Sequence, residues 1–220
     1  MGWVKKWWGR RTRWQQFLLV LIVALGVYFA YTLTRPSVLE SAVFTIPIGG
    51  GDDEFRVEGR DPAWSPDGST IAFTSQGEDD VETVFTFGLS DGAVDTMAPG
   101  GGPAWSPDGA MLAVAAENEA GVSEIYLVNT ATSEATLLTE GNHPAWSPDG
   151  STLAFDITDA DGASTVNLID LESSTVTTVT DGDEPTWSPD GSSLAIVRDN
   201  AEEISEIYVV DLSGSDPVLV

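Results

Sequence analysis

The chain has 220 residues, 42% of them hydrophobic, with eight Trp, eight Phe and no Cys; this is enough apolar material for one large domain or two small ones. The lack of Cys excludes a disulfide framework, a thiolate nucleophile and a Cys-based zinc site. A formal net charge of −26 argues against nucleic acid as a direct partner, because that binding needs a basic footprint.

The charge is unevenly placed. Residues 1–35 carry Lys5, Lys6, Arg10, Arg11, Arg13 and Arg35 and no acid, whereas the rest holds three basic residues against all 35 acids, a formal −32. Within these first 35 residues, Phe17 to Leu33 (FLLVLIVALGVYFAYTL) is a run of 17 without a charge. As a helix it would span roughly 25 Å, near the short limit for crossing a bilayer. Five basic residues precede it and one follows, which by the positive-inside rule places the N-terminus in the cytoplasm.

The segments expected are therefore a basic cytoplasmic head at 1–15, a single-pass transmembrane signal anchor at 16–34, a linker at 35–42 and a body at 43–220. The competing reading is a cleaved signal peptide with a small-x-small site at Ala24-Leu25-Gly26. Either way the body is exported, to the periplasm or the cell exterior.

The body is a tandem repeat. The phrase PAWSPDG occurs at 62–68, 103–109 and 144–150, and PTWSPDG at 185–191, so that Trp64, Trp105, Trp146 and Trp187 fall at steps of 41. A period of 40–45 residues with strand-like segments predicts propeller blades. Each copy reads as a short apolar strand, the turn Ser-Pro-Asp-Gly, a second strand (STIAF, AMLAV, STLAF, SSLAI), an acidic loop, and third and fourth strands. In the turn, proline (Pro66, Pro107, Pro148, Pro189) pre-sets φ and aspartate (Asp67, Asp108, Asp149, Asp190) suits the third position. Glycine (Gly68, Gly109, Gly150, Gly191) is favoured at the fourth. The tryptophans are predicted to plug the space between neighbouring blades. Catalysis repeated four times is the alternative, but no base or orienting group recurs beside the phrase.

A fifth copy of the third strand, at Val43-Phe44, makes the body start halfway through a unit. The expected fold is all-β: a β-propeller of four full four-stranded blades plus an N-terminal half-blade, an incomplete ring, preceded by one transmembrane helix.

At these residues the chain resembles the TolB-like, WD40-like (PD40) propeller repeats, whose pattern runs Pro-x-Trp-Ser-Pro-Asp-Gly, then an IAF-like strand and an IYVVD-like strand. The sequence shows it at 62–73, 103–114, 144–155 and 185–196, with EIYLVN at 124–129 and EIYVVD at 206–211. The resemblance implies periplasmic or cell-surface scaffolds that hold partner proteins, and also the non-catalytic propellers of prolyl-oligopeptidase-like serine peptidases. Two departures stand out. Asn167 replaces the aromatic of the third strand, so looser packing is expected there. The rings of this family usually have six or more blades, so a longer gene product or a second chain is expected to complete the ring.

In this connectivity the loops joining strands two and three share a face with those joining strand four to the next blade, opposite the Ser-Pro-Asp-Gly turns. The variable loops 76–82, 117–124, 156–165 and 198–206 are acidic, with Asp79, Asp80, Glu117, Glu119, Asp159, Asp161, Glu202 and Glu203 as the candidate partner-binding face and Glu124, Asp156 and Glu206 among their further acids. One reading is a negative surface for a basic protein; the other is a solvated acidic coat of the kind that suits high salt. Calcium is not expected. DITDADG at 156–162 echoes an EF-hand loop, but Ile157 stands where the first ligand belongs and Leu168 where the closing glutamate is needed.

Neither a cofactor nor an enzyme activity is expected. The single histidine, His143, has Asp61, Gly102 and Glu184 as its counterparts in the other copies, so no shared chemistry requires an imidazole there. No G-x-S-x-G nucleophile elbow is expected anywhere in the chain, and so no hydrolase half of a peptidase. Two functions remain: a membrane-tethered, non-catalytic protein-binding scaffold, or the leading propeller of a serine peptidase whose catalytic domain lies outside this chain.

Overall fold

Alternating apolar and polar residues, broken every 8–12 residues by Gly, Pro, Asp or Ser, leave the body no option but short strands. The computed structural model describes residues 42–45, 54–77, 80–200, 202, 204–213 and 218–219. The basic head and the predicted anchor, within residues 1–41, lie outside the described residues, as do Asp79 and Glu203. Among the described residues no helix is long and apolar enough to cross a membrane.

Strands β1 (Ala42–Thr45) and β2 (Glu54–Glu58) form an antiparallel pair. Four four-stranded sheets follow. The first holds β3 (Arg60–Trp64), β4 (Thr70–Gln76), β5 (Glu82–Gly88) and β6 (Val94–Pro99), and the second β7 (Gly101–Trp105), β8 (Met111–Glu117), β9 (Ser123–Asn129) and β10 (Ala135–Glu140). The third holds β11 (Asn142–Trp146), β12 (Thr152–Thr158), β13 (Ser164–Asp170) and β14 (Thr175–Asp181). The fourth holds β15 (Asp183–Trp187), β16 (Ser193–Asp199), β17 (Ser205–Asp211) and β18 (Val218–Leu219). Each is an antiparallel meander in chain order, the all-β arrangement of propeller blades.

The core lies between sheets. One face of each sheet offers a small residue and a β-branched one, and the next sheet lays larger side chains on them. Ala72 and Val84 meet Leu112, Val114 and Val128. Ala113 and Ile125 meet Leu153, Phe155 and Ile169. Ala154 and Val166 meet Leu194, Ile196 and Val210. The alanine lets the sheets approach, and the branched residues fill the gap at interior density. Ahead of the first sheet, Val43 packs on Ile71, Phe73 and Phe87. On the far face of the fourth sheet Ile207 is 58% exposed, although its counterparts Val84, Ile125 and Val166 are fully buried.

The third sheet does not pack loosely at Asn167, contrary to the sequence expectation. Asn167 is 2% exposed; its Nδ2 donates to the Thr165 carbonyl at 2.9 Å, and its Oδ1 accepts from the Thr178 hydroxyl at 2.7 Å. A short amide with both ends satisfied replaces the ring.

Candidate functional site

The repeated phrase builds one edge of the array. In the first copy the Gly68 amide donates to the Ser65 carbonyl at 2.9 Å, closing a four-residue turn. Asp67 Oδ1 accepts from the Ser65 hydroxyl at 2.7 Å and the Ser69 amide at 3.0 Å. The Ser65 hydroxyl oxygen in turn accepts the Thr70 amide at 3.0 Å. Asp108, Asp149 and Asp190 repeat this, and hydrogen bonding from Ser147 and Ser188 first, then from the amides of Ser151 and Ser192, brings Asp149 and Asp190 down to about 2. Gly68, Gly109, Gly150 and Gly191 have φ of 71–73°, the region glycine enters without steric cost. The prolines stack the turns: the Cβ positions of Gly109, Gly150 and Gly191 face Cδ of Pro66, Pro107 and Pro148 at 3.5–3.7 Å.

The tryptophans tie each inner strand to the one before. Trp105, Trp146 and Trp187 donate their indole N–H to the carbonyls of Ala63, Ala104 and Ala145 at 3.1, 3.1 and 3.0 Å. Trp64 is 55% exposed.

The opposite face carries a cavity of about 750 Å³. Its wall combines strand-two-to-three connections (Val81, Glu117, Ser123) with the four-to-one junctions (Asp61, Gly102, His143, Glu184). These four junction residues precede proline and lie in the left-handed region, with φ of 51°, 59°, 46° and 47°, where non-glycine residues are held only by their surroundings. Each inner strand shifts register at that dipeptide. Arg60 pairs with Asp61 at 2.6 Å and with Glu82 at 2.5 Å on this wall.

Of the predicted acidic face, Glu117 lines the cavity, whereas Asp80, Glu119, Asp161 and Glu202 are exposed and stand apart from it. Three other acids have structural work. Asp159 Oδ1 accepts the amides of Asp161 and Ala163, both at 2.9 Å, so its carboxylate shapes its own hairpin. Asn118 and Asn200 do the same one repeat away on either side, and also donate to Glu124 and Glu206 at 2.9 Å. Tyr126 and Tyr208 hydroxyls complete those pairs, and the Tyr126 bond holds Glu124 below the usual carboxylate range.

Asp156, grouped with the loop acids by sequence, is in β12 and 1% exposed. Its Oδ1 meets His143 Nδ1 at 2.7 Å and accepts the Glu184 amide at 3.2 Å. Thr74 Oγ1 serves the first junction likewise, accepting the Gly102 amide at 3.1 Å. Nearby, burial, and then the carboxylates Asp156 and Glu184, push Asp183 up.

Sequence reasoning missed a second set of glycines at the 41-residue step: Gly59, Gly100, Gly141 and Gly182. A Cβ there would lie 2.5–2.9 Å from the backbone carbonyl of Thr74, Ala115, Asp156 or Val197. Their regular spacing was the available signal.

Among the described residues no group of three or more metal-ligating side chains is placed to hold an ion. One correction concerns catalysis. Gly88-Leu89-Ser90-Asp91-Gly92 does spell G-x-S-x-G. It is the hairpin between β5 and β6, closed by the Gly92 amide on the Gly88 carbonyl at 2.9 Å; no helix follows, so it is not the strained elbow that exposes a nucleophile.

Several solved structures are similar to this chain. TolB from Acinetobacter baumannii matches with a TM-score of 0.69 and 23% identity, over 81% of this chain and 48% of that one. Putative TolB from Agrobacterium tumefaciens gives 0.64 and 24%, over 76% and 64%. A puromycin-hydrolyzing peptidase from Mycobacterium tuberculosis gives 0.58 and 18%, over 78% and 30%. The chain thus spans between about half and two thirds of the TolB structures. No curated protein matches it. The PD40 family model, described as the TolB beta propeller domain, matches residues 60–184, more than half of the sequence; with the four indole-linked sheets, this shows that the chain belongs to the PD40 TolB β-propeller family.

Proposed function

We propose that the chain is a membrane-tethered, extracytoplasmic scaffold that binds a basic protein partner without catalysis. The observation that carries this reading is the acid-walled cavity of about 750 Å³ on the face where variable hairpins meet the junctions before Pro103, Pro144 and Pro185. Asp61, Glu82, Glu117 and Glu184 give it a negative wall on which Arg60 is already paired. Loops on a rigid frame are where recognition concentrates, and a concavity whose wall carries more acids than bases focuses field on a partner of opposite charge. The tether is read from residues 16–34.

The test is retention of a basic protein from detergent-solubilised membranes on the immobilised full chain. Retention is expected at low salt, with loss at high salt and in a Asp61→Asn, Glu117→Gln, Glu184→Gln variant. Equal retention by chain and variant would remove the cavity from the account.

The second reading, a propeller attached to a serine peptidase, is favoured by the likeness to the Mycobacterium tuberculosis peptidase, of which the chain covers 30%. Sequencing the gene around this chain separates the two: a catalytic Ser-Asp-His domain encoded with the propeller would replace the scaffold reading.

A further inference from the structure

The junction between the third and fourth sheets differs chemically from the others. Where the first junction uses the neutral Thr74 hydroxyl and the second has Ala115 at the same position, the third uses a carboxylate that is almost wholly buried. Asp156 binds the imidazole of its own sheet and the Glu184 backbone amide of the next with a single oxygen. Both His143 and Glu184 lie in the left-handed region, and that one oxygen holds the ring of the first and the backbone amide of the second. We propose that His143, Asp156 and the Glu184 amide form a pH-operated latch between the third and fourth sheets, closed while the imidazole carries its proton and slackened when it does not.

The surroundings supply the bias. Around the imidazole stand Asp156 from β12 and Asp183 and Glu184 from β15, with Asp199 of β16 behind Asp183. Across the cavity are Asp61, Glu82 and Glu117, and the basic group there, Arg60, is paired with Asp61 and Glu82. The hydrogen bond to Asp156 first, and then the charges of Asp156, Glu184 and Asp183, raise His143 above the ordinary imidazole value against its own desolvation. The direction of the effect follows. A group whose pKa is raised by folding stabilises the fold fully below its unfolded value, about 6.5, and that contribution is lost as the pH rises through the folded value. Once the imidazole is neutral, its charge no longer offsets the carboxylates that surround it, Asp156, Glu184 and Asp183. The strand start at Asp183 to Pro185 then loses its hold. The side chain of His143 is 55% exposed, so the proton exchanges freely with solvent, as a sensor requires.

The chain has one histidine, which makes the test direct. In the isotope-labelled, untagged full chain, the imidazole C2–H resonance is followed against pH together with the Glu184 amide. The expected result is an imidazole midpoint above about 6.5, with the Glu184 amide shifting at the same midpoint. Its hydrogen-exchange protection factor should fall across that midpoint by about tenfold per unit of elevation. Asp156→Asn should return the midpoint to about 6.5 or below. His143→Gln should make the protection of Glu184 independent of pH in this range, and this arm decides even if Asp156→Asn does not fold. A midpoint at or below that of a free imidazole, a Glu184 amide indifferent to it, or unchanged pH dependence in His143→Gln would each overturn the latch.

Discussion

The indole of Trp105 donates to the backbone carbonyl of Ala63, 42 residues earlier and one sheet away, at 3.1 Å. Trp146 and Trp187 repeat the bond on Ala104 and Ala145. Each tryptophan is thus an inter-sheet tie, filling the gap with its ring and anchoring it with its N–H, while Trp64 stays 55% exposed. Trp146→Ala should therefore cost roughly 3–5 kcal/mol, combining lost burial, a cavity and an orphaned bond. Trp64→Ala should cost about 1 kcal/mol or less. Urea unfolding of the two variants checks this, and equal losses would mean that the four copies of the phrase are not differentiated by their neighbours.

Asp149 and Asp190 sit at about 2 because the Ser147 and Ser188 hydroxyls, then the Ser151 and Ser192 amides, bind the charged form. A depressed carboxylate stabilises the fold above its unfolded value, near 3.8, and loses that contribution as the pH falls toward 2. The double variant Asp149→Asn, Asp190→Asn should melt below the unsubstituted chain at pH 5, with the gap narrowing toward pH 2. Melting curves that stay parallel over the whole range would show that these carboxylates do not hold the turns.

Much of this was legible in the sequence because it lies in the repeat itself. The 41-residue step, the turn chemistry of Ser-Pro-Asp-Gly and the alanine at the centre of each second strand specify four-stranded sheets packed face to face. What escaped was fixed by the neighbouring sheet. Asp156 looks like a loop acid, but strand alternation from Ala154 puts it on the inter-sheet face, where the Glu184 amide arrives from another repeat. Asp159 looks like a free carboxylate and is instead the counterpart of Asn118 and Asn200, shaping a hairpin. Charge on a page signals exposure; only the fold reveals which oxygen is already bound.

Asn167 gives a prediction from the same lesson. It is 2% exposed, with its amide on the Thr165 carbonyl and its oxygen on the Thr178 hydroxyl. Asn167→Leu keeps the branched shape, with a somewhat larger volume, and removes these hydrogen bonds, which should cost about 1–3 kcal/mol despite the gain in hydrophobicity. The companion variant Thr178→Val should recover part of the loss when combined with it, because the hydroxyl left without a partner is then gone. A double-mutant cycle reads this coupling, and strict additivity would show that the two side chains do not interact.

The glycine step tests the array at its tightest point. At Gly141, φ is 145°, and a Cβ would lie 2.5 Å from the Phe155 ring and 2.9 Å from the Asp156 carbonyl. Phe155 is fully buried against Ala113 and Ile125 of the preceding sheet, so its ring cannot retreat without opening that interface. Gly141→Ala therefore combines backbone strain with overpacking, and a loss of roughly 2–4 kcal/mol is expected. Gly121 is the internal control: its φ is 76° and nothing stands within 4 Å of its Cβ position, so Gly121→Ala meets conformational strain alone and should cost about 1–2 kcal/mol. The relief variant Gly141→Ala with Phe155→Leu should regain stability relative to Gly141→Ala, as the smaller side chain vacates the space the methyl needs. If Gly141→Ala costs no more than Gly121→Ala in thermal unfolding, the close approach of β12 to the junction is not what requires glycine there.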